Sequence, residues 1–232
     1  MNNTQKPASL WLGFERDEVA YLAPMATFRL IMSVGNSWKE LYPWAYIARA
    51  AAAGFLLLAF RRYYTRISWS YWWLGIIGGI LGIVQWIGMD TLLQRAVPSL
   101  FALDHAAAFN PFDYFASPAA AWSWTAIRIV GAALVVPFME ELFWRDYLWR
   151  RLDAPNDFKL STVGEKNLMV VLAVSAAFAL VHVQIPTAFV WGLMVAALLI
   201  YTRSLGACII MHGVTNLLLA GYVLWTKEWA WW

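Results

Sequence analysis

The chain has 232 residues, of which 62% are hydrophobic and only 13% are charged, and its mean hydropathy is +0.56. Too few charged side chains are available to cover a water-soluble domain of this length, so the composition excludes a soluble globular protein and indicates an integral membrane protein. The net charge of +3 is small and divided among short basic clusters, which argues against nucleic acid as a partner.

Seven apolar stretches approach the roughly 20 residues that a helix needs to cross a bilayer. No hydrophilic second domain and no internal repeat interrupts them. We therefore predict one integral membrane domain spanning residues 1–232. Its fold is an all-α polytopic helical bundle of about seven to eight transmembrane helices around a central polar cavity. The predicted spans are 19–37, 42–60, 70–89, 121–149, 167–185, 187–202 and 205–226.

Along the chain, predicted loops that are rich in lysine and arginine alternate with loops that are poor in them. The 61–70 and 150–166 loops are rich in basic residues, whereas the 90–120 segment contains a single arginine and three aspartates. By the positive-inside rule the first two loops are cytoplasmic and the third is external. We predict a multi-pass protein of the cell inner (plasma) membrane with a cytoplasmic N-terminus. The prolines of the 90–120 segment favour short helices lying on the external face.

Two adjacent glutamates occur inside the fourth predicted span, in VPFMEELFWRDY. An ionisable group within the membrane costs several kcal/mol, so it requires a partner, a hydrated cavity or a function. Glu141 and Arg145 are four residues apart and share a helix face, so they can form an ion pair. Glu140 is rotated by about 100° from Glu141 and projects elsewhere. Arg128, earlier in the same span, we assign to pairing or snorkelling.

Two further pairs share the four-residue spacing, Phe178 with His182 and His212 with Asn216. At about 1.5 Å per residue, Glu140 lies roughly 15 Å from the basic cluster that follows its span, and His212 lies roughly 14 Å from the arginine that precedes its own. His182 lies sixteen residues from Lys166, roughly 24 Å less the unspanned part of the loop, so costly polar residues of three different helices reach similar depth. The pattern predicts one polar cavity near the middle of the bilayer.

The residue types in this cavity suit hydrolysis. A carboxylate and an imidazole can activate a water molecule as a general base, and a second imidazole with an amide can stabilise an oxyanion. Two histidines and a glutamate could instead hold zinc, but the HExxH signature is absent, so we expect no metal ligands and no cofactor while leaving a zinc-dependent variant open. No serine or cysteine nucleophile stands out.

Three segments of the chain resemble the motifs of one family. EELFWR is similar to its EExxxR motif, FALVH to its FxxxH motif and HGVTN to its HxxxN motif, in that order within residues 120–220. The family is the CPBP family of glutamic-type intramembrane proteases, which includes the CAAX prenyl endopeptidase and bacteriocin-processing or immunity proteins. The FNP segment and the aromatic C-terminus further resemble its bacterial CAAX prenyl protease-related subgroup.

The resemblance implies an intramembrane endopeptidase that cleaves a membrane-associated peptide or protein within the lipid bilayer. It implies that Glu140 and His182 activate the hydrolytic water and that His212 and Asn216 form the oxyanion site. The residues that it implies stabilise the motif region are Glu141, Arg145 and Phe178. Some members of the bacterial subgroup are associated with exosortase systems, which suggests that association for this chain.

Two other functions remain open from the residues alone. The polar cluster could simply hold helices together in a non-proteolytic membrane scaffold or a bacteriocin-immunity-type protein. Buried ionisable groups also occur in proton-coupled carriers, although the chain lacks visible inverted repeats.

Overall fold

The computed structural model describes residues 16–101 and 108–232. Helices account for the regular structure of these residues, which contain no strand. The predicted all-α membrane class is therefore confirmed. By its contacts the chain divides into two compact units, Met1–Arg66 and Ile67–Trp232. The cytoplasmic placement predicted for the N-terminus concerns a segment of which residues 1–15 lie outside the described part.

The first unit is a pair of packed helices, α1 (Arg16–Ser37) and α2 (Tyr42–Ala59), joined by the 3₁₀ turn Lys39–Leu41. Pro43 is the second residue of α2, where its fixed φ suits the first turn and its missing N–H costs nothing. The segment after α2 returns to α1 through hydrogen bonds. Tyr64 Oη donates to the Ala20 carbonyl at 3.1 Å, and the Thr65 N–H donates to Tyr21 Oη at 2.8 Å.

The second unit contains the remaining helices and all the residues predicted to form the site. Its helices are α3 (Trp72–Ala96), α4 (Pro98–Phe101), α5 (Pro111–Tyr114), α6 (Pro118–Val130), α7 (Val136–Glu141), α8 (Trp149–Asp153), α9 (Leu168–Leu180), α10 (Ile185–Thr202) and α11 (Leu205–Thr226). The short helices α4 and α5 fall within the segment predicted to carry such elements, and residues 102–107 between them lie outside the described residues.

Helices α6, α7 and α8 follow one another without a break and form a single helical segment, residues 118–153, which we call the motif helix. Two π-helical segments, Gly131–Val135 and Leu142–Leu148, separate its three α-helical parts. Pro137 lies at the start of α7. Proline has no N–H and cannot donate to the preceding turn, so a local change of hydrogen-bond register at this point has a direct chemical cause.

Helices α3 and α11 pack closely because glycines replace side chains along their contact. A Cβ at Gly75 would lie 2.5 Å from the Ala207 carbonyl oxygen, and one at Gly79 would lie 2.6 Å from the Val214 Cβ. Small residues at such contacts let two membrane helices approach at backbone distance. The approach brings the Thr215 hydroxyl within hydrogen-bond distance of two carbonyl oxygens, that of Met211 on its own helix at 2.9 Å and that of Gly79 on α3 at 3.2 Å. These glycine contacts thereby fix α11 against α3.

The N-terminal end of α11 is held by a single backbone carbonyl. Ser68, just before α3, accepts hydrogen bonds from Ser204 Oγ at 2.7 Å and from the Gly206 N–H at 2.9 Å. Ser204 is also the N-cap of α11, and its Oγ accepts from the Ala207 N–H. We refer to this arrangement as the Ser68 clamp.

Four stretches of the described chain are long and apolar enough to cross a membrane: Lys39–Ala59, Trp72–Ala96, Ile185–Thr202 and Leu205–Thr226. Helix α9 is apolar but shorter, and the motif helix carries several buried charges. Many large apolar side chains on these helices are exposed, among them Leu81 and Val84 on α3, as lipid contact requires. The chain is a membrane protein, and the number of seven to eight crossings stays a prediction.

Candidate active site

A cavity of about 260 Å³ lies inside the second unit. Residues of α3, the motif helix, α9, α10 and α11 line it, together with the turn after α9 and the C-terminal 3₁₀ turn Trp229–Trp231 with Trp232. The four residues predicted from the sequence to be catalytic all belong to its lining: Glu140, His182, His212 and Asn216. They come from the motif helix, the turn after α9, and α11. The structure therefore brings together, at one cavity, side chains that lie up to 76 residues apart in the chain (216 minus 140).

Glu140 lies at the end of α7 with its side chain facing the cavity. The residue is 7% exposed, and its Oε2 is buried without a hydrogen-bond partner among the described residues. A buried carboxylate oxygen usually has such a partner, because the desolvation cost is otherwise unrecovered. Glu140 thus has capacity to accept a proton or a hydrogen bond from a molecule in the cavity.

His182 follows the last turn of α9, and its ring orientation is fixed by that turn. Its Nδ1 is 2.7 Å from the Phe178 carbonyl oxygen. A carbonyl oxygen can only accept, so Nδ1 carries the hydrogen, and in the neutral ring Nε2 carries the lone pair. The Phe178 ring also packs against the imidazole, with centroids 4.3 Å apart. The four-residue spacing thus gives His182 both a backbone acceptor and an aromatic support.

His212 is paired with the second of the adjacent glutamates. Its Nδ1 lies 2.7 Å from Glu141 Oε1, and Glu141 Oε2 lies 3.2 Å from Arg145 Nε. Glu141 is fully buried, and His212 is 5% exposed. One carboxylate therefore bridges a guanidinium on its own helix and an imidazole on α11. The sequence predicted the contact with Arg145 but not the one with His212.

Asn216 contacts a backbone carbonyl that the motif helix leaves open. In the π-helical segment the Val136 N–H donates to Gly131, five residues earlier. The same pattern would pair the Ala132 carbonyl with residue 137, which is a proline without an N–H. Asn216 Nδ2 donates to Ala132 at 2.8 Å instead. One N–H of its amide is thereby engaged, and the amide has a second.

Aromatic rings form much of the remaining wall. Trp191 of α10 stacks on Phe178, with centroids 5.3 Å apart, and meets the His212 ring edge-on at 4.8 Å. Its Nε1 donates to Thr215 Oγ1 at 3.4 Å. Trp86 of α3 meets His182 edge-on at 5.9 Å. Packing on several sides restricts rotation of both imidazoles, as a catalytic site requires.

The sequence analysis missed several residues of the cavity lining. Besides Trp86 and Trp191 these include Arg128, Gln184, Trp231 and Trp232. Arg128 was assigned to pairing or snorkelling; its guanidinium lies over the Trp124 and Trp232 rings, 5.5 and 4.7 Å from their centroids, and it also faces the cavity. Four-residue steps lead from Arg128 to Ala132, Val136 and Glu140, all in the lining, but a regular helix would rotate Arg128 by about 120° from Glu140, so periodicity gave no signal.

No group of three or more histidine, cysteine, aspartate and glutamate side chains is arranged to hold a metal ion in the part of the chain that the structure describes. His212 uses Nδ1 for Glu141, and His182 uses Nδ1 for a backbone carbonyl. The geometry is that of polar groups facing a small cavity.

A protein-family model described as type II CAAX prenyl endopeptidase Rce1-like matches residues 122–218. The resemblance to the CPBP family is confirmed. All three CPBP-type motifs fall within the match, whereas the first unit lies outside it. No curated protein and no solved structure matches the chain.

The CPBP match supports a CAAX-type intramembrane protease. That family implies a membrane-embedded peptide substrate and the lipid bilayer as surroundings, and the apolar helices agree with a membrane protein.

Proposed function

We propose that this protein is a glutamic-type intramembrane endopeptidase that hydrolyses a peptide bond of a membrane-associated substrate. In the proposal Glu140 and His182 activate the water, and His212 and Asn216 stabilise the oxyanion. The observation that carries it is the cavity that all four of these side chains line.

The first step is attack of water on the scissile carbonyl carbon. Glu140 accepts a proton from the water through its unpartnered Oε2, and the lone pair of His182 Nε2 orients the same water by accepting its other hydrogen. The C–O bond forms as the carbonyl π bond opens, and the negative charge moves to the carbonyl oxygen. A site shielded from bulk water strengthens each of these interactions.

The second step is stabilisation and collapse of the tetrahedral intermediate. In the proposal the remaining amide N–H of Asn216 and Nε2 of His212, two residues of the cavity lining, donate to the oxyanion. When the carbonyl re-forms, the C–N bond breaks and protonated Glu140 returns its proton to the leaving amine. Carboxyl and amine products result, and Glu140 is restored to its starting state.

The test is Glu140→Gln, which keeps the size of the side chain and removes its basicity. In nanodiscs, cleavage of internally quenched peptides, with and without a prenylated cysteine in a CAAX sequence, should fall by about 10²–10⁴. Asp146→Asn is the matched control, since Asp146 is a fully buried carboxylate of the motif helix outside the cavity lining. Unchanged cleavage by folded Glu140→Gln would refute the mechanism. Cleavage that chelators abolish would favour the zinc-dependent variant.

We also propose that the protein lies in the inner membrane with its N-terminus in the cytoplasm, on the strength of the basic 61–70 and 150–166 loops. Cys208 is the only cysteine and is fully buried, so cysteines introduced at surface loops can be labelled against a low background. Lys159→Cys should react with an impermeant maleimide only after the cells are permeabilised. Tyr114→Cys should react in intact cells. The reverse labelling pattern would show that the topology is opposite to the proposed one.

From the resemblance to the bacterial subgroup we also propose that the protein is associated with an exosortase system, which would supply its substrate. Co-expression with the components of such a system, followed by mass spectrometry of their termini with wild-type protein and Glu140→Gln, tests it. A terminus that appears only with the wild-type protein supports the association.

A further inference from the structure

The adjacent glutamates have different environments, and the contacts of the second one carry an inference that rests on the proposed hydrolase. Glu141 does not line the cavity, yet its carboxylate touches a residue that does. We infer that Glu141 is a positioning residue: it holds the His212 ring so that Nε2 is presented to the substrate carbonyl.

The contact distances favour His212 as the main partner of Glu141 Oε1. His212 Nδ1 is 2.7 Å from this oxygen, whereas Arg145 NH1 is 3.4 Å from it. The shorter distance is that of a charge-assisted hydrogen bond, and the longer one is close to the limit for any hydrogen bond. Glu141 is therefore more than the ion-pair partner of Arg145.

The shape of imidazole links this bond to the cavity. The two ring nitrogens lie on opposite sides of the ring, so fixing Nδ1 on Glu141 also fixes the direction of Nε2. His212 belongs to the cavity lining and Glu141 does not, so Nε2 points away from the glutamate and toward the cavity side.

The contrast with His182 separates the supports of the two histidines. His182 Nδ1 donates to the backbone carbonyl of Phe178, four residues earlier. His212 Nδ1 lies 2.7 Å from the carboxylate of Glu141, on another helix. A substitution at Glu141 therefore changes the support of His212 and leaves the carbonyl contact of His182 in place.

Arg145 completes the arrangement by holding Glu141 in place. Its Nε lies 3.2 Å from Glu141 Oε2, and its Cζ lies 4.6 Å above the centroid of the Phe178 ring. Phe178 is the residue whose carbonyl orients His182. The motif helix therefore contacts the supports of both imidazoles, one through an ion pair and one through a cation–π contact.

The chain supplies a matched control for a merely structural role. Asp146 and Arg150 form a second buried ion pair of the motif helix with the same four-residue spacing, 2.7 Å long, and neither residue lines the cavity. Glu141→Gln and Asp146→Asn each remove one negative charge from such a pair. Only the first removes a partner of a cavity histidine.

The experiment combines kinetics with the ring-nitrogen signals of ¹⁵N-histidine-labelled protein in lipid. The chain has three histidines, so signals can be assigned with single His→Gln variants. Glu141→Gln should lower kcat on the quenched CAAX-type peptides by about 10²–10³, the effect of one oxyanion donor, with little change in KM. The His212 ring signals should shift while those of His182 stay. Asp146→Asn should leave kcat within about twofold.

Glu141→Asp is the second variant, since it retains the charge and shortens the side chain by one methylene. It should keep more activity than Glu141→Gln. The inference is overturned if the His212 signals are the same in wild type and both Glu141 variants, or if Asp146→Asn lowers kcat as much as Glu141→Gln. The ring signals need no substrate, so an active Glu140→Gln would refute the hydrolase mechanism and leave the Glu141 contact to be judged on its own.

Discussion

Gly79→Ala is expected to displace α11 from α3 and to lower activity from a position outside the cavity. The added Cβ would lie 2.6 Å from the Val214 Cβ and 2.9 Å from the Met211 carbonyl oxygen. Carbon atoms make contact at about 3.5–4.0 Å, so the shortfall is about 1 Å. One of the two atoms belongs to the backbone of α11, and rotation of a side chain cannot relieve that contact.

The expected costs follow from this displacement. Overpacking of a well-packed contact typically costs about 1–3 kcal/mol, from which the higher helix propensity of alanine returns about 1 kcal/mol. Helix α11 carries His212 and Asn216, and a misplacement of about 1 Å at a catalytic site can lower the rate by about 10²-fold. We expect a lower unfolding temperature and a kcat reduced by about two orders of magnitude.

Gly88→Ala is the matched control, because Gly88 lies on the same helix and a Cβ there would meet nothing within 4 Å. Both variants are measured in the same nanodiscs by thermal unfolding and by cleavage of the quenched peptides. Gly88→Ala should be neutral or stabilising by up to about 1 kcal/mol, with wild-type kcat. Equal unfolding temperatures and equal kcat values for the two variants would contradict the proposed role of the glycine contact.

Two further predictions concern the motif helix and the loop after it. Pro137→Ala restores an N–H that competes with Asn216 for the Ala132 carbonyl, so kcat should fall by up to about 10²–10³ without loss of thermal stability; wild-type kcat would show that the carbonyl does not hold Asn216. Hydrogen bonds from Asn167 and Ser161 lower the pKa of Asp153. Its contribution to stability is therefore complete above its unfolded pKa of about 3.9 and is lost as the pH falls through the lower folded pKa. The difference in unfolding temperature between wild type and Asp153→Asn should shrink as the pH falls from 6 toward 2, and a difference independent of pH would contradict the assignment.

The helices could be predicted from the sequence because apolar composition and length dominate folding in a bilayer. All seven predicted spans correspond to helical residues, including 121–149, which falls within the motif helix. The first of them contains Arg29 and is still helical, as α1. Helix boundaries differ by a few residues, since turn residues such as those after Leu180 carry little hydropathy signal.

The convergence of the polar residues could also be anticipated, because an ionisable group is too costly in lipid to be placed without a common cavity. Helix periodicity separated Glu140 from Glu141, and the structure places only the first in the cavity lining. The roles of the lining residues remain part of the proposal.

The partners of the site residues were not predictable, for reasons of geometry. The bond between Glu141 and His212 joins residues 71 positions apart, and no local pattern encodes which ring nitrogen faces which helix. The π-helical segments change the register that a regular 3.6-residue period assumes, which obscured the cavity-facing position of Arg128. The position of Trp191 at the cavity could not be predicted, because tryptophan is frequent throughout this chain and its presence says little about location.

The Ser68 clamp bears on how a substrate could enter. Two donors from the start of α11 meet one oxygen just before α3, and glycines close the contact beyond it, so this pair of helices resists sliding or parting. In the proposed function, a peptide that arrives from the lipid would then enter between other helices. A pair of spin labels, one on α3 and one on α11, should give one narrow distance distribution. A pair placed on two helices that separate during entry should give a broad one.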